Sequence, residues 1–374
     1  MVLKLVTILG TRPEIIRLSC FIREADKYFD HKIIHTGQNY DANLKDMFFE
    51  EMKIRKPDYY LNCIGKNIGA TIGNIISKTY DLFLELKPDC VLVLGDTNSA
   101  LAVYGAKRLK IPVFHCEASQ RSFSELLPEE INRRLVDHIS DVNLCYSETA
   151  RRNLIKEGFR LDMLFVVSSP MKEVLDYYKK DIMSSTILQK LNLTPNKYFL
   201  LSLHREQHVD DQKVFFQLID AIDKVCEKYK LPIVFSIHPR TQKKLDENNI
   251  TLNPLVLGMP AMGFMDYNKL QMNALCVLSE SGSISEESSI LSFPAVTLRE
   301  SIERQEAIDK GNIILGNLKS ETILDSINIA INTHVKDNDI IPYDYKDNNF
   351  SIRVIKIIQG YTPVVNKIIW FKDY

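Results

Sequence analysis

The sequence is poor in the features that mark secreted, membrane-spanning or nucleic-acid-binding chains. Its 47 basic and 48 acidic residues nearly cancel, leaving a formal net charge of −1. No surplus of either sign draws the chain to nucleic acid or to an anionic membrane. No apolar run approaches the roughly 20 residues that span a bilayer. The opening MVLKLVTILGTRPE lacks the long apolar core and small-residue cleavage site of a secretory signal, so the expected compartment is the cytoplasm. The seven cysteines, at 20, 63, 90, 116, 145, 226 and 276, are odd in number and contain no CxxC pair. They read as buried reduced thiols rather than a disulfide framework. With no HExxH and no clustered Cys/His pattern, no metal is expected. Repeats of solenoid length and low-complexity tracts are also missing.

What is present is an alternation. The 374 residues are 45% hydrophobic and 25% charged, enough for two cores. Short apolar runs (KLVTILG, KIIHTG, CVLVLG, PVFHCEA, DVNLCYS, LFVVSS) alternate with amphipathic stretches up to about residue 170. A second series follows: YFLLSLH, PIVFSIH, LVLG, ALCVLSE, AVTLRE and NIILG. Continuous apolar strands between helices imply parallel sheets covered on both faces. The fold expected is α/β, with two Rossmann-like domains facing each other across a cleft. The expected division is 1–170, 171–349, and a C-terminal segment, 350–374, packing back on the first domain. FSIRVIKIIQGYTPVVNKIIW is read as helical in its first half.

Right-handed crossovers bring strand ends and their loops to one edge, where such folds place ligands. On that edge the sequence sets a group of charges. Asp96 ends CVLVLGD, and HCEASQR carries Glu117 and Arg121 off the next strand. A helix then opens with Pro128, Glu129 and Glu130, with Arg133 in its first turn. Any one acid here could be a helix cap; Asp96, Glu117 and Glu129 together beside arginines are the arrangement expected for proton transfer. GTRPE (10–14) joins the first strand to its helix, and its N–H groups with Arg12 suit a phosphate. A capping turn with a solvated arginine is the competing reading. In the second half, Ser281, Gly282 and Ser283 form a small-residue loop before a helix that carries Glu287. Such a loop suits a pyrophosphate, and Glu287 suits ribose hydroxyls; the alternative is a plain cap with dipole-complementing acids. His204 with Arg205, and His238, end two successive strands on the same edge.

In this order, these motifs resemble the non-hydrolysing UDP-N-acetylglucosamine 2-epimerases over essentially the whole chain. The resemblance rests on GTRPE, GDT at 95–97, HxEA…R with PEExNR, HRE, and SG…EE followed by ER at 303–304. It implies a fold like the two-domain GT-B glycosyltransferases, no cofactor, a homodimer, and a UDP-N-acetylhexosamine as substrate. The implied reaction inverts C2 by eliminating UDP and adding it back. By resemblance Asp96, Glu117 and Glu129 are the catalytic acids, and His204 and Arg12 attend the departing diphosphate. Ser281, Gly282 and Glu287 hold UDP, Arg205, His238, Ser283 and Arg304 join the substrate contacts, and Arg121 and Arg133 orient the carboxylates. A GT-B glycosyltransferase or a non-catalytic UDP-sugar binder would share the fold and the loop.

The chain departs from the family pattern at several points. Ser119 stands where a glycine follows HxEA, so a strained or shifted turn is expected there. Gln207 and His208 alter HREEN, Glu280 replaces the aspartate before SG, and Ser283 is the second loop residue. Gln305 replaces the proline of ERPE, Arg17 takes the place of a lysine, and SSP at 168–170 replaces TGN. HTGQNYDANL lies where substrate-regulated enzymes carry a Gln-His-rich segment. With GNIISKTYD, SSPMKEV, GFMDYN and SEESSIL, it resembles the capsule-type branch, which acts on a 6-deoxy-L-hexosamine toward UDP-N-acetyl-L-fucosamine.

Overall fold

The computed structural model describes residues 2–38, 42–203, 210–299, 301–335 and 341–372, with the backbone alone at 42–46. The chain forms two compact units: 1–177 together with 347–374, and 178–346.

The first unit is built on a seven-stranded parallel sheet. Its strands are β1 (Lys4–Leu9), β2 (Asp30–His35), β3 (Tyr59–Tyr60), β4 (Cys90–Leu94), β5 (Val113–Ala118), β6 (Val142–Cys145) and β7 (Leu164–Val166). The order β3-β2-β1-β4-β5-β6-β7 reverses direction between β1 and β4. Every residue of β4 is buried, which explains why this strand reads as an unbroken apolar run rather than an alternating one. Helices Arg12–Tyr28 and Ile68–Leu86 are among those that cover the faces. The second of these is started by Asn67, whose side chain accepts the N–H of Ala70 at 2.8 Å.

The second unit repeats the plan with β8 (Phe199–Leu203), β9 (Ile233–Ile237), β10 (Val256–Met259), β11 (Cys276–Ser279), β12 (Ala295–Thr297) and β13 (Ile313–Leu315). Its order is β10-β9-β8-β11-β12-β13, again all parallel, with the reversal between β8 and β11. Alternate residues of one strand feed two cores. Phe199, Leu201 and Leu203 pack on one face, and Leu200 joins Val234 and Val277 on the other. The reading of an α/β chain with two Rossmann-like domains holds.

The unit boundaries differ slightly from 170 and 350. Helix Met171–Tyr177 packs on Arg12–Tyr28 and so stays with the first unit, and the chain returns to it at Asp347. There the Ser168 hydroxyl bonds the Asp347 carboxylate at 3.2 Å. The last helix, Phe350–Ile368, runs well past the first half of its segment, through Pro363. Proline removes one helical hydrogen bond, but Thr362, Ile358 and Val365 around it are buried and hold the turn. Its start is fixed by Glu173, whose carboxylate accepts both the N–H (2.9 Å) and the hydroxyl (2.7 Å) of Ser351. All seven cysteines are free and buried. Among the described residues, no helix is long and apolar enough to cross a membrane.

Ile358 has no exposure, so Ile358→Ala should destabilise the first unit by about 2–5 kcal/mol through lost burial and the cavity left behind. Urea titration checks this; an unchanged midpoint would mean the last helix is not part of that core.

Candidate active site

In each unit the loops at the strand reversal leave from the carboxyl ends of two neighbouring strands, the position where open α/β sheets bind ligands. In the first unit these are the turns after β1 and β4. The β1 turn is a capping box. Thr11 caps Arg12–Tyr28, and Glu14 Oε2 accepts the N–H groups of Gly10 (2.6 Å) and Thr11 (2.7 Å) and the Thr11 hydroxyl (3.0 Å). Its other oxygen accepts the hydroxyl of Thr97 at 2.6 Å, so Glu14 ties the β1 turn to the β4 turn. Burial pushes this carboxyl up to about 7, against the pull of Thr97, Gly10 and Thr11. The expectation that the GTRPE N–H groups are open to a phosphate is corrected here: Glu14 occupies those of Gly10 and Thr11. Arg12 lies half-buried with its guanidinium 5.0 Å from the centre of the Phe48 ring.

Asp96 and Glu117 leave the ends of paired strands, β4 and β5. Asp96 is approached by Arg133, through Nε at 3.0 Å and through Nη2, and Arg133 Nη1 bonds Glu130 at 2.7 Å. Glu117 sits at a register shift between β5 and β6, in the left-handed region at φ 63°. A non-glycine residue held there marks a backbone re-aimed by a bulge. Its Oε2 lies 3.9 Å from Arg17 Nε and 3.4 Å from the Tyr146 hydroxyl. The two carboxylates keep side-chain exposures of 19% and 12%, while both arginines are buried to 6%, so solvent reaches the acids from one side only. Gly95, at φ 72°, makes the turn that separates them; a Cβ there would stand 3.8 Å from Glu117 Oε2. Glu129 is exposed at the start of helix Pro128–Ile139, and its neighbour Glu130 is the acid buried against Arg133.

Behind these groups lies a network whose core, His115, Asp137 and Arg121, is buried and whose outer member, Glu157, is exposed. His115 Nδ1 is 2.9 Å from Asp137 Oδ1, and its Nε2 is 2.8 Å from the Gly95 carbonyl. Arg121 bridges Asp137 (2.7 Å) and Glu157 (2.9 and 2.8 Å). Burial alone would push the Asp137 carboxyl up, but the His115 ring and the Arg121 guanidinium outweigh it and hold it below the ordinary range. Arg121 is thereby engaged inside the unit, with only 4% of its surface exposed.

In the second unit, Ser281, Gly282 and Ser283 form the turn between β11 and helix Ile284–Leu291. The two serine hydroxyls bond each other at 2.9 Å. A Cβ on Gly282 would come within 2.5 Å of Arg304 Nη1, so only glycine admits that guanidinium against the loop. Arg304 also pairs with buried Glu286 at 3.5 Å, and Arg299 donates to the Glu280 carbonyl at 2.5 Å. Glu287, 7% exposed, accepts from Gln271 Nε2 at 2.7 Å. His238 is exposed and caps helix Pro239–Glu247, its Nδ1 accepting the Arg240 N–H at 3.3 Å. His204 and Arg205, with Gln207 and His208, lie outside the described residues.

Several groups in this region escape a reading of the sequence. Glu14 had a signal in T-x-x-E at 11–14, and Glu130 in its i,i+3 spacing to Arg133. His115 stands at the head of HxEA without a role read from it, and Asp137 and Tyr146 had no signal.

Residues 23–359 match a family model described as UDP-N-acetylglucosamine 2-epimerase. A solved UDP-N-acetylglucosamine 2-epimerase from Rickettsia bellii shares 43% identity with a TM-score of 0.91, covering 100% of both chains. The Methanocaldococcus jannaschii UDP-GlcNAc 2-epimerase, solved in complex with UDP-GlcNAc and UDP, shares 35% identity with a TM-score of 0.89, covering 96% of this chain and 99% of its own. A UDP-2,3-diacetamido-2,3-dideoxy-D-glucuronate 2-epimerase of Pseudomonas aeruginosa is 31% identical over 90% of this chain and 94% of its own. On a family match spanning most of its length and on relatives aligned nearly end to end, this chain belongs to the UDP-N-acetylglucosamine 2-epimerase family.

Proposed function

We propose that this chain is an isomerase that inverts C2 of a UDP-N-acetylhexosamine, UDP-GlcNAc to UDP-ManNAc or the 6-deoxy-L equivalent, by elimination and re-addition of UDP. The observation that carries the reading is the pair of partly exposed carboxylates, Asp96 and Glu117, at the ends of adjacent strands, each beside a buried guanidinium. The C2 hydrogen is weakly acidic, so a positioned base must remove it as the diphosphate departs. The C2–H electron pair becomes the second bond of C1=C2, and UDP leaves with the electrons of the C1–O bond. After the 2-acetamidoglycal turns over, an acid returns a proton to the other face of C2 and a UDP oxygen adds to C1. The sequence balances without an external oxidant or reductant.

We assign acid and base roles to Asp96, Glu117 and Glu129. Stabilisation of the departing diphosphate is assigned to His204 and Arg12, an electrostatic role. Ser281, Gly282, Ser283 and Glu287 hold the nucleotide, with Arg205, His238 and Arg304 as further substrate contacts. Arg133 and Arg121 orient carboxylates rather than exchange protons. A cytoplasmic homodimer is part of the same proposal. For the sugar, we propose the 6-deoxy-L-hexosamine of the capsule-type branch, on the strength of the segments GNIISKTYD, SSPMKEV, GFMDYN and SEESSIL. HTGQNYDANL supports the same reading, although residues 39–41 lie outside the described residues.

Asp96→Asn keeps the shape and removes the base, so exchange of the C2 hydrogen in deuterated water should fall by about 100-fold or more, with UDP affinity little changed. NMR checks this; wild-type exchange in both Asp96→Asn and Glu117→Gln would refute the assignment. Glu287→Ala should weaken UDP binding by about 1–3 kcal/mol. Calorimetry showing undiminished affinity would remove Glu287 from the nucleotide site. For the sugar, kcat/KM should favour the 6-deoxy-L substrate, with hyperbolic kinetics on UDP-GlcNAc; some turnover of UDP-GlcNAc is expected, since a pocket lined for a methyl discriminates only weakly against an added hydroxyl. Sigmoidal kinetics with no turnover of the deoxy sugar would exclude the branch and leave the 2-epimerase reading in place.

A further inference from the structure

From the buried network, and resting on the function proposed above, we infer that His115 is a positioning residue that fixes the Asp96 turn and the Glu117 bulge for proton transfer. Its ring has no exposure and stands between two oxygens that only accept, the Gly95 carbonyl (2.8 Å from Nε2) and the Asp137 carboxylate (2.9 Å from Nδ1).

The two oxygens belong to the backbone segments that aim the acids. Gly95 precedes Asp96, and its N–H also donates to Cys116 at 2.9 Å. Both polar groups of this left-handed residue are therefore tied to β5, the strand that carries Glu117. On the other side, Asp137 accepts the N–H of Ser119 at 3.2 Å on each oxygen. Ser119 sits at φ 72°, two residues beyond Glu117 at φ 63°. A serine there costs energy that a glycine would not, and the Asp137 carboxylate, the Ser119 hydroxyl on the Ala150 carbonyl and Asn153 on the Ser119 carbonyl (3.3 Å) hold it in place. Three left-handed residues, Gly95, Glu117 and Ser119, thus flank or carry the acids, and the two outer ones are held by the His115–Asp137 pair. Arg121 supplies the cation that Asp137 needs to remain ionised in full burial, and Glu157 balances Arg121. No atom of His115 faces solvent or reaches a substrate; its effect passes through the backbone.

Two substitutions separate the two contacts. In His115→Asn the amide nitrogen takes the place of Nδ1 and can still donate to Asp137, but nothing donates to Gly95. In His115→Gln the amide nitrogen reaches toward the Gly95 carbonyl. Loss of the Gly95 contact should lower kcat for C2 exchange by about 10–100-fold, the scale of a misplacement near 1 Å. KM and UDP affinity should stay within about 3-fold, and the Gln variant should regain part of the rate. Wild-type kcat in His115→Asn, or equal losses in both variants, would overturn the inference. Should either variant not fold, the intact protein decides. With ¹³C and ¹⁵N labelling, one ring N–H should show a scalar coupling across its hydrogen bond to the Gly95 carbonyl carbon. If that coupling is missing, the inference falls whatever the kinetics. A wild-type protein that exchanges no C2 hydrogen would instead remove the proposed function, and the coupling would still decide the Gly95 contact.

Discussion

Both sheets are buried on both faces, and that constraint decides where chemistry can take place in this molecule. A strand covered on each side must be apolar along its length, so polar groups that act on a ligand are confined to strand ends and the turns that follow. Cys90–Leu94 obeys the rule without exception, and the residue that first breaks it after the Gly95 turn is Asp96. The same holds in the second unit, where β11 gives way to Glu280 and the serine loop. The two strand reversals then select which ends matter, by opening a gap between neighbouring helices at β1/β4 and at β8/β11.

Buried polar side chains do occur within the first sheet, Thr7 on β1 and His31 and His35 on β2 among them; in the middle of β5 the polar residue is His115, with Asn143 beside it on β6, its amide donating to the Asp137 carbonyl at 3.1 Å. Burying three ionisable groups, His115, Asp137 and Arg121, is not a route to stability. A packed apolar cluster of similar volume does as well or better, and losing one partner of a buried pair costs about 3–5 kcal/mol. What such a network can supply is a fixed backbone geometry. Here it is placed directly behind the two acids, at the residues with left-handed φ. Stored backbone strain beside a candidate base fits a site that must be rigid before its substrate arrives.

The fold was largely legible because its signals are long and apolar. Twelve of the thirteen strands coincide with apolar runs; β3 is only two residues at the sheet edge, too short for any period to register. The last helix reads as helical in its first half only, whereas it continues through Pro363, with Val365 buried beyond it. The site was legible at strand ends, where Asp96, Glu117 and the serine loop stand out against apolar neighbours. What a turn does with its own N–H groups was not legible: the GTRPE turn spends two of them on Glu14. Spacing to Arg133 suits Glu130 at i,i+3 and Glu129 at i,i+4 alike, and packing decides that Glu130 turns inward. Arg121 reads as a guanidinium that orients the acids near it in sequence, and only the arrival of Asp137 and Glu157 from distant segments shows which carboxylates it holds.

The central claim is that C2 inversion proceeds through departure and return of UDP. It is tested most directly with UDP-GlcNAc carrying ¹⁸O in the bridge between C1 and the β-phosphorus, followed by ³¹P NMR. If UDP leaves and its terminal phosphate rotates before adding back, the label moves into non-bridging positions of the recovered sugar nucleotide as the C2 epimer forms. Epimer formation with the label retained wholly in the bridge would contradict the account.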